Sequence, residues 1–216
     1  MISSAVAGTL RALLLKSYRA SRVLSGFMNT PAHAIINLLL FGKKHRKTHS
    51  VAIVAGALMP DLPMLLFYLR EKLHGTPERL IWSERYNDPV WQAVFNSFHS
   101  FPLLALAIWM AWRGRCSGWA IFFASMFCHS LFDFPVHHRD AHAHFFPLSD
   151  YRFISPLSYW DPAHYGLWIS ALEVVIMVVG SLYLWRSSQS RVKRVQVAGL
   201  LSVYLLFLFA AVVVWA

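Results

Sequence analysis

The chain has 216 residues, of which 57% are hydrophobic and 14% are charged, and its mean hydropathy is +0.46. A soluble domain of this length usually carries about a quarter charged residues, so the composition excludes an ordinary water-soluble domain and indicates a lipid bilayer as the main solvent. The net charge of +10 is also a feature of nucleic-acid-binding proteins. Here, however, the cations cluster between apolar stretches, and we expect no nucleic-acid partner.

The N-terminal segment 1–27 has four basic side chains, several serines and no acid, which is typical of a targeting segment. Arg11 and Lys16 interrupt the apolar core that a secretory signal needs. We interpret 1–27 as an N-terminal extension that is removed from the mature protein or that precedes a true start at Met28.

The rest of the chain contains apolar stretches of about the 20 residues that a transmembrane helix needs. A shorter stretch, 29–42, predicts a partial or tilted helix. The sequence therefore predicts an all-α fold, a polytopic integral membrane bundle of about six helices. Residues 28–216 would form one membrane-embedded domain with a histidine-rich outer loop at 137–164. The five longer stretches are 50–69, 94–112, 117–136, 165–185 and 197–216.

Half of the positive charge lies in three short runs without any acid. They are KKHRK (43–47), RGR (113–115) and RSSQSRVKR (186–194), which hold ten of the twenty Lys and Arg residues. The runs occupy alternate loops, and the positive-inside rule places such loops in the cytoplasm. We therefore predict a bacterial inner membrane protein whose 137–164 loop faces the periplasm or exterior.

Ionisable residues within the apolar stretches gather toward that outer face. A charged group at membrane depth costs about 3 kcal/mol or more, so such groups usually face a cavity and serve function. Four of the predicted helices contribute such residues: His33, Asp61, His99, His129 and Asp133.

The spacing of these residues suits metal binding. His129 and Asp133 are four apart and share a helix face, as two ligands of one ion do, or a ligand and the group that orients it. Pro60 and Pro63 flank Asp61 and disturb the helix, and irregular backbone at this depth is tolerated only where it is buried in protein or lines a wet cavity. The loop adds four further candidate ligands: His137, His138, His142 and His144.

Four motifs follow one another along the chain: MNTPAH (28–33), LMPDLP (58–63), SFHS (97–100) and CHSLFD (128–133). Their order resembles the YdjM-like family of membrane-bound, metal-dependent hydrolases over about residues 28–170. It is also similar, more distantly, to the zinc-dependent phospholipase C and P1 nuclease superfamily, whose helical members cleave phosphoesters with clustered zinc ions. This chain departs from the YdjM-like pattern at Pro63, usually an acid, and at Val94, usually a histidine.

The resemblance implies a divalent metal cofactor, most simply one to three Zn²⁺ ions. Asp61 and Asp133 would be catalytic, by bridging metals or by accepting the proton of an attacking water. The implied ligands are His33, Asp61, His99, His129 and Asp133, completed by one or more of His137, His138, His142 and His144.

These residues favour a hydrolase that acts on a lipid or other phosphoester at the outer membrane–water interface. The alternative is a non-catalytic protein that binds or transports divalent metal through the same ligands. Haem ligation by two histidines is disfavoured by the neighbouring carboxylates, and a purely structural membrane protein remains a further alternative. Taken singly, His99 also fits a packing residue and Asp61 a helix cap.

The predicted orientation is testable by cysteine labelling. In a chain whose Cys116 and Cys128 are replaced by alanine, we expect a cysteine at Ser149 to react with a membrane-impermeant maleimide added to intact cells. A cysteine at Ser117, beside the basic run RGR, should react only after the cells are permeabilised. The opposite pattern would show that the topology is inverted.

Overall fold

A computed structural model describes residues 30–159 and 161–215, with side chains described up to residue 209. The predicted extension 1–27 and the proposed start at Met28 lie outside the described residues. Within the described ranges the chain is helical and has no β-strand, which confirms the all-α prediction. The helices are α1 (Thr30–Leu40), α2 (Gly42–Leu58), α3 (Leu62–Leu73), α4 (Glu78–Ser83), α5 (Pro89–Phe98), α6 (Phe101–Arg113), α7 (Ser117–Asp133), α8 (Gly166–Ser187) and α9 (Arg191–Trp215), with 3₁₀ turns at Arg85–Asn87 and Pro162–His164.

Two helices of the described chain, α8 and α9, are individually long and apolar enough to cross a membrane. Up to four spans result if α2 with α3 and α5 with α6 are each counted as one, and these pairs bend by 50° and 47°. The chain is thus compatible with an integral membrane protein, but the predicted count of about six spanning helices is not confirmed. The predicted stretch 29–42 corresponds to the short helix α1.

The predicted spans 50–69 and 94–112 are not continuous helices, and both are interrupted where a proline follows. Pro63 lies in the first turn of α3 and Pro102 in the first turn of α6. Proline has no amide hydrogen to donate to the preceding turn, but it is tolerated at the start of a helix. Ser100 adds a cap at the second break, where its hydroxyl accepts from the Leu103 amide at 3.2 Å.

Helices α2 and α7 cross closely enough to require a glycine. A Cβ added at Gly56 would lie 2.2 Å from the Phe122 carbonyl oxygen and 2.8 Å from Cβ of Ser125. A buried polar network ties α1 to the same crossing. Asn37 donates to the carbonyl and the hydroxyl of Ser125, both at 2.8 Å, and that hydroxyl donates to the Ile53 carbonyl at 2.6 Å.

The two outer helices close the bundle around an apolar core. Ile35 of α1, Ile53 of α2, Met177 of α8 and Tyr204 of α9 are buried in one cluster. The same packing brings two of the basic runs together, since Lys193 at the start of α9 donates to a backbone carbonyl in the first run at 3.0 Å. The runs 43–47 and 186–194 therefore share one end of the bundle, and the break after α2 lies at the opposite end of that helix.

The crossing of α2 and α7 generates a stability prediction. Gly56→Ala should lower the free energy of unfolding by about 1–3 kcal/mol, because the added methyl group collides with rigid backbone. We expect a lower melting temperature in detergent, measured by circular dichroism. Gly199→Ala in α9 is the matched control, because no described atom lies within 4 Å of its added Cβ. Equal melting temperatures for the two variants would contradict the close crossing.

Candidate metal centre

The centre forms where two helix breaks meet the last turns of α7. Asp61 lies in the break between α2 and α3, and His99 lies in the break between α5 and α6. His129 and Asp133 come from the C-terminal turns of α7. One potential ligand atom from each of these four residues lies within 4.8 Å of the others. Among the described residues they form a group that can hold a metal ion.

Asp133 lies between two sets of imidazoles. Its Oδ2 is 2.9 Å from Nε2 of His129 and 3.6 Å from Nε2 of His99. Its Oδ1 is 2.9 Å from Nε2 of His33, in α1, and 3.5 Å from Nε2 of His137. The carboxylate is therefore placed to serve both sets, as a bridging ligand does.

Asp61 is the most accessible member of the four. Its side chain is 18% exposed, compared with 3% for Asp133. Its Oδ1 lies 3.5 Å from Nε2 of His129 and 3.8 Å from Nε2 of His99. Its Oδ2 accepts a hydrogen bond from the Thr30 hydroxyl. The centre is thus closed on the Asp133 side and open on the Asp61 side.

Backbone carbonyls orient the two central imidazoles. Nδ1 of His129 lies 2.7 Å from the Ala57 carbonyl, and Nδ1 of His99 lies 2.9 Å from the Phe95 carbonyl. A neutral ring that donates from Nδ1 keeps its lone pair on Nε2. Metal-binding histidines are usually held in this way by their second ring nitrogen. In that neutral tautomer, the Nε2 lone pair of each ring would point into the centre.

Several buried nitrogen and oxygen atoms of the centre could form hydrogen bonds that neighbouring residues do not fully supply. Leaving such atoms unpaired costs about 1–3 kcal/mol each. A cation bound among them would satisfy the lone pairs together, so the residues fit a divalent metal. Nε2 of His99 is buried without a hydrogen bond to any described residue, whereas Nε2 of His33 and Nε2 of His129 each meet an oxygen of Asp133 at 2.9 Å.

Three of the four loop histidines extend the centre. His142 stacks on His99 with ring centroids 3.9 Å apart. His137 approaches Asp133, as described, and its Nδ1 lies 3.0 Å from an Asp140 carboxylate oxygen. His144 lies farther out, with its ring 6.4 Å from that of His99. At these distances, His137, His142 and His144 surround the group of four residues and do not belong to it.

The fourth loop histidine is directed elsewhere. His138 stacks on His164 with centroids 3.6 Å apart, and its Nδ1 contacts the Ser155 carbonyl at 2.5 Å. The described contacts of His138 thus hold the loop together, and the structure does not bring it to the centre. The ligand roles of all nine residues stay predictions. The structure brings four of them within 4.8 Å of one another and places His33, His137, His142 and His144 next to members of that group.

Burial favours the neutral form of His142 and His144, whereas for His137 the carboxylates of Asp140 and Asp133 outweigh burial and hold the pKa well above its usual value. Burial, reinforced by His99, lowers the pKa of His144 to about 4, and the same causes hold the pKa of His142 well below its usual value. An imidazole binds metal through the lone pair of its neutral form. These two rings are therefore uncharged at neutral pH and do not repel a cation.

Three polar residues that position the centre, Thr30, Asp140 and Asn96, were not predicted from the sequence. Thr30 lies within the motif MNTPAH and Asp140 within the histidine-rich loop, so their polarity beside predicted ligands was an available signal. Asn96 accepts from the Ala143 amide at 3.0 Å, while the His144 carbonyl accepts from the Phe101 amide at 2.8 Å, and both bonds hold the loop against the second break.

Arginine also has a structural role in this loop. Arg152 donates to the Ala141 carbonyl at 2.7 Å and to Gln92 at 2.9 Å. These bonds join the loop to the start of α5, and they use donors that would otherwise be available for a phosphate group.

Comparison with family models, with curated proteins and with solved structures finds no match to this chain. The chemistry of the centre is therefore argued from its own residues. Imidazole nitrogen with carboxylate oxygen is a donor set for Zn²⁺ and other divalent first-row metals.

The centre generates a metal-binding prediction. His129→Ala and Asp133→Ala should each lower the metal bound per purified chain by at least about tenfold at limiting metal, because both remove donors at its middle. His138→Ala is the matched control and should retain its metal, since that ring stacks on His164 instead. The measurement is elemental analysis by mass spectrometry. A loss in the His138 variant equal to that of His129→Ala would contradict the assigned arrangement.

Proposed function

We propose that this chain is a membrane-bound, metal-dependent hydrolase that cleaves a phosphoester with an apolar tail at the membrane–water interface. The observation that carries the proposal is the convergence of Asp61, His99, His129 and Asp133 within 4.8 Å. A structural ion pair needs two partners, whereas here two carboxylates and two imidazoles from different helices are gathered at one place.

Metal identity and number belong to the proposal. We expect Zn²⁺, held first by the group of four, with His33 and His137 beside the other oxygen of Asp133 available for a second ion. A divalent cation at this place would lower the pKa of water to about 7 and stabilise negative charge on a phosphoryl oxygen. The resemblance to YdjM-like proteins supports the same chemistry.

The two oxygens of Asp61 suit it to a catalytic role. Oδ1 faces the imidazoles of His99 and His129, and Oδ2 accepts a hydrogen bond from the Thr30 hydroxyl. The Asp61 carboxylate would accept a proton from water as the water oxygen bonds to phosphorus and the bond from phosphorus to the leaving alkoxide breaks. The protonated carboxyl would then give that proton to the alkoxide. The Thr30 hydroxyl holds the carboxylate in place. Asp133 is more buried and holds the imidazoles of His33 and His129 in position.

Exposed apolar side chains next to site residues along the chain favour a lipid-like substrate. Leu62 follows Asp61 directly and is exposed, as are Phe145 and Leu148 in the loop. Exposed apolar residues around a polar centre are typical of sites for membrane or lipid ligands. A substrate with its phosphate group at the metal centre would place an apolar tail against these exposed side chains.

The location we propose is a bacterial inner membrane, with the centre facing the periplasm or exterior. The support is the position of the runs 43–47 and 186–194 at the far end of α2, since cytoplasmic loops carry the excess of Lys and Arg. A metal-binding or transport protein without catalysis would use the same ligands and is separated from the hydrolase by activity.

Substitution of Asp61 tests the catalytic role. Asp61→Asn keeps the size of the side chain but cannot take a proton, so hydrolysis should fall by a factor of about 10² or more while part of the metal remains. Asp150→Asn, the same change on an exposed loop carboxylate, is the matched control and should keep full activity. The assay is cleavage of a chromogenic phosphodiester and of common phospholipids in detergent with added zinc.

Two results would count against the hydrolase. If the intact, metal-loaded protein cleaves none of these esters, the phosphoesterase proposal fails and the metal-binding alternative stands. If Asp61→Asn and the control are equally active, Asp61 is not the proton acceptor.

A further inference from the structure

A second polar feature lies at the opposite end of α2 from the metal centre. It is a cavity of about 350 Å³ between the end of α1, the start of α2, the end of α8 and the start of α9. Its volume falls in the range of about 300–1,000 Å³ that is usual for small-molecule sites. The lining residues, called here the basic pocket, are Leu38, Lys43, Arg46, Lys47, Ser50, Leu184, Ser187, Ser188, Gln189, Ser190, Lys193, Gln196 and Val197.

The basic pocket is strongly cationic. Four of its lining residues, Lys43, Arg46, Lys47 and Lys193, are basic, and none of the described residues that line it is acidic. Unbalanced positive charge in a concave site concentrates anions.

Two of these cations are held at the pocket by their own contacts. Arg46 donates to the Leu38 carbonyl at 3.2 Å and places its guanidinium 5.9 Å from the centre of the Tyr183 ring. Lys193 donates to the Lys47 carbonyl at 3.0 Å. Their positions are therefore set before a ligand arrives, which reduces the entropy lost on binding.

The remaining lining residues favour a phosphate group over a simple halide or carboxylate. Serine hydroxyls and two glutamine side chains supply neutral donors beside the cations. A phosphodiester has two charged oxygens and further acceptor oxygens, so it uses both kinds of donor. The floor is apolar, because Leu38, Leu184 and Val197 are buried. The pocket thus offers donors at its rim and hydrocarbon at its base.

The surroundings favour a lipid as the source of that phosphate. The pocket opens at the adjoining ends of α8 and α9, the two helices long and apolar enough to cross a membrane. Beside it, Tyr183, Trp185, Val192 and Val195 are exposed. Tyrosine and tryptophan are enriched at headgroup level, and exposed valines are suited to acyl chains.

We propose that the basic pocket binds the phosphate headgroup of an anionic phospholipid. Basic pockets between transmembrane helices are known to hold such headgroups on the cytoplasmic side. The occupied pocket would join α1 and α2 to α8 and α9 through one shared ligand. The assignment is independent of the hydrolase, because the metal centre lies at the other end of α2.

The test compares two charge-matched double variants of the full chain. Lys43→Gln with Lys193→Gln removes two cations that line the pocket. Lys44→Gln with Arg191→Gln removes two exposed cations from the same segments that do not line it. Native mass spectrometry in a non-ionic detergent measures the binding of phosphatidylglycerol to each. We expect the first pair to weaken stoichiometric binding at least about tenfold, about 1.4 kcal/mol, and the second less than about threefold.

The single variants Lys43→Gln and Lys44→Gln repeat the comparison with less risk to folding, since both side chains are exposed. Helicity and bound metal should be unchanged in all variants. Equal weakening by the lining and the control substitutions would overturn the pocket and leave only general surface attraction.

Two further arms identify the occupant. Phosphatidylcholine should bind at least about tenfold more weakly than phosphatidylglycerol, and equal binding would overturn the requirement for an anionic headgroup. Inorganic phosphate at millimolar concentration should not displace the lipid. If it does, and binds by itself in the same pocket, the occupant is a free phosphate and the lipid assignment is wrong.

Discussion

The close crossing of α2 and α7 is the contact on which the metal centre depends. Gly56 lets the two backbones approach to a distance at which a side chain would collide with the Phe122 carbonyl. The next residue, Ala57, then presents its carbonyl to Nδ1 of His129 at 2.7 Å. A missing Cβ in one helix therefore decides which nitrogen of a histidine in another helix is free for a ligand. Small residues at helix contacts commonly allow such close approach in membranes.

The two helix breaks allow side chains from different helices to converge on one point. Side chains of a straight helix project sideways, so a four-way convergence from parallel helices requires long side chains or irregular backbone. Asp61 and His99 both come from breaks, followed by Pro63 and Pro102 in the first turns of the next helices. Irregular backbone at membrane depth is tolerated only where other parts of the protein bury it or where it lines a water-filled cavity. The bends are therefore a requirement of the centre.

The sequence locates the candidate ligands by their depth along the apolar stretches, and that depth stays a prediction. His33, Asp61, His99 and His129 are separated by long intervals, yet alternating helix directions place them at one end, where the structure brings them together. The bends themselves were not predicted as breaks of two spans, because hydropathy measures how apolar a segment is and is insensitive to its direction. The paired prolines around Asp61 did indicate irregular backbone.

The loop was beyond sequence reasoning for a different reason. His138 and His142 are both histidines in one short segment, and no periodicity distinguishes their directions. The structure separates them through tertiary contacts: His142 stacks on His99, and His138 stacks on His164.

The chain's large positive charge is compatible with a cation-binding centre because of where the charges lie. Lys43 lies in the first turn of α2, and Asp61 follows the last turn. A helix that rises 1.5 Å per residue separates them by about 27 Å. At an effective dielectric constant of 20, one charge at that distance contributes about 0.6 kcal/mol, whereas a carboxylate at about 4 Å contributes about 4 kcal/mol. The potential at the centre is therefore set by Asp61 and Asp133. The same separation allows one helix to present the proposed anion-binding end and the candidate cation-binding end with only weak electrostatic opposition between them.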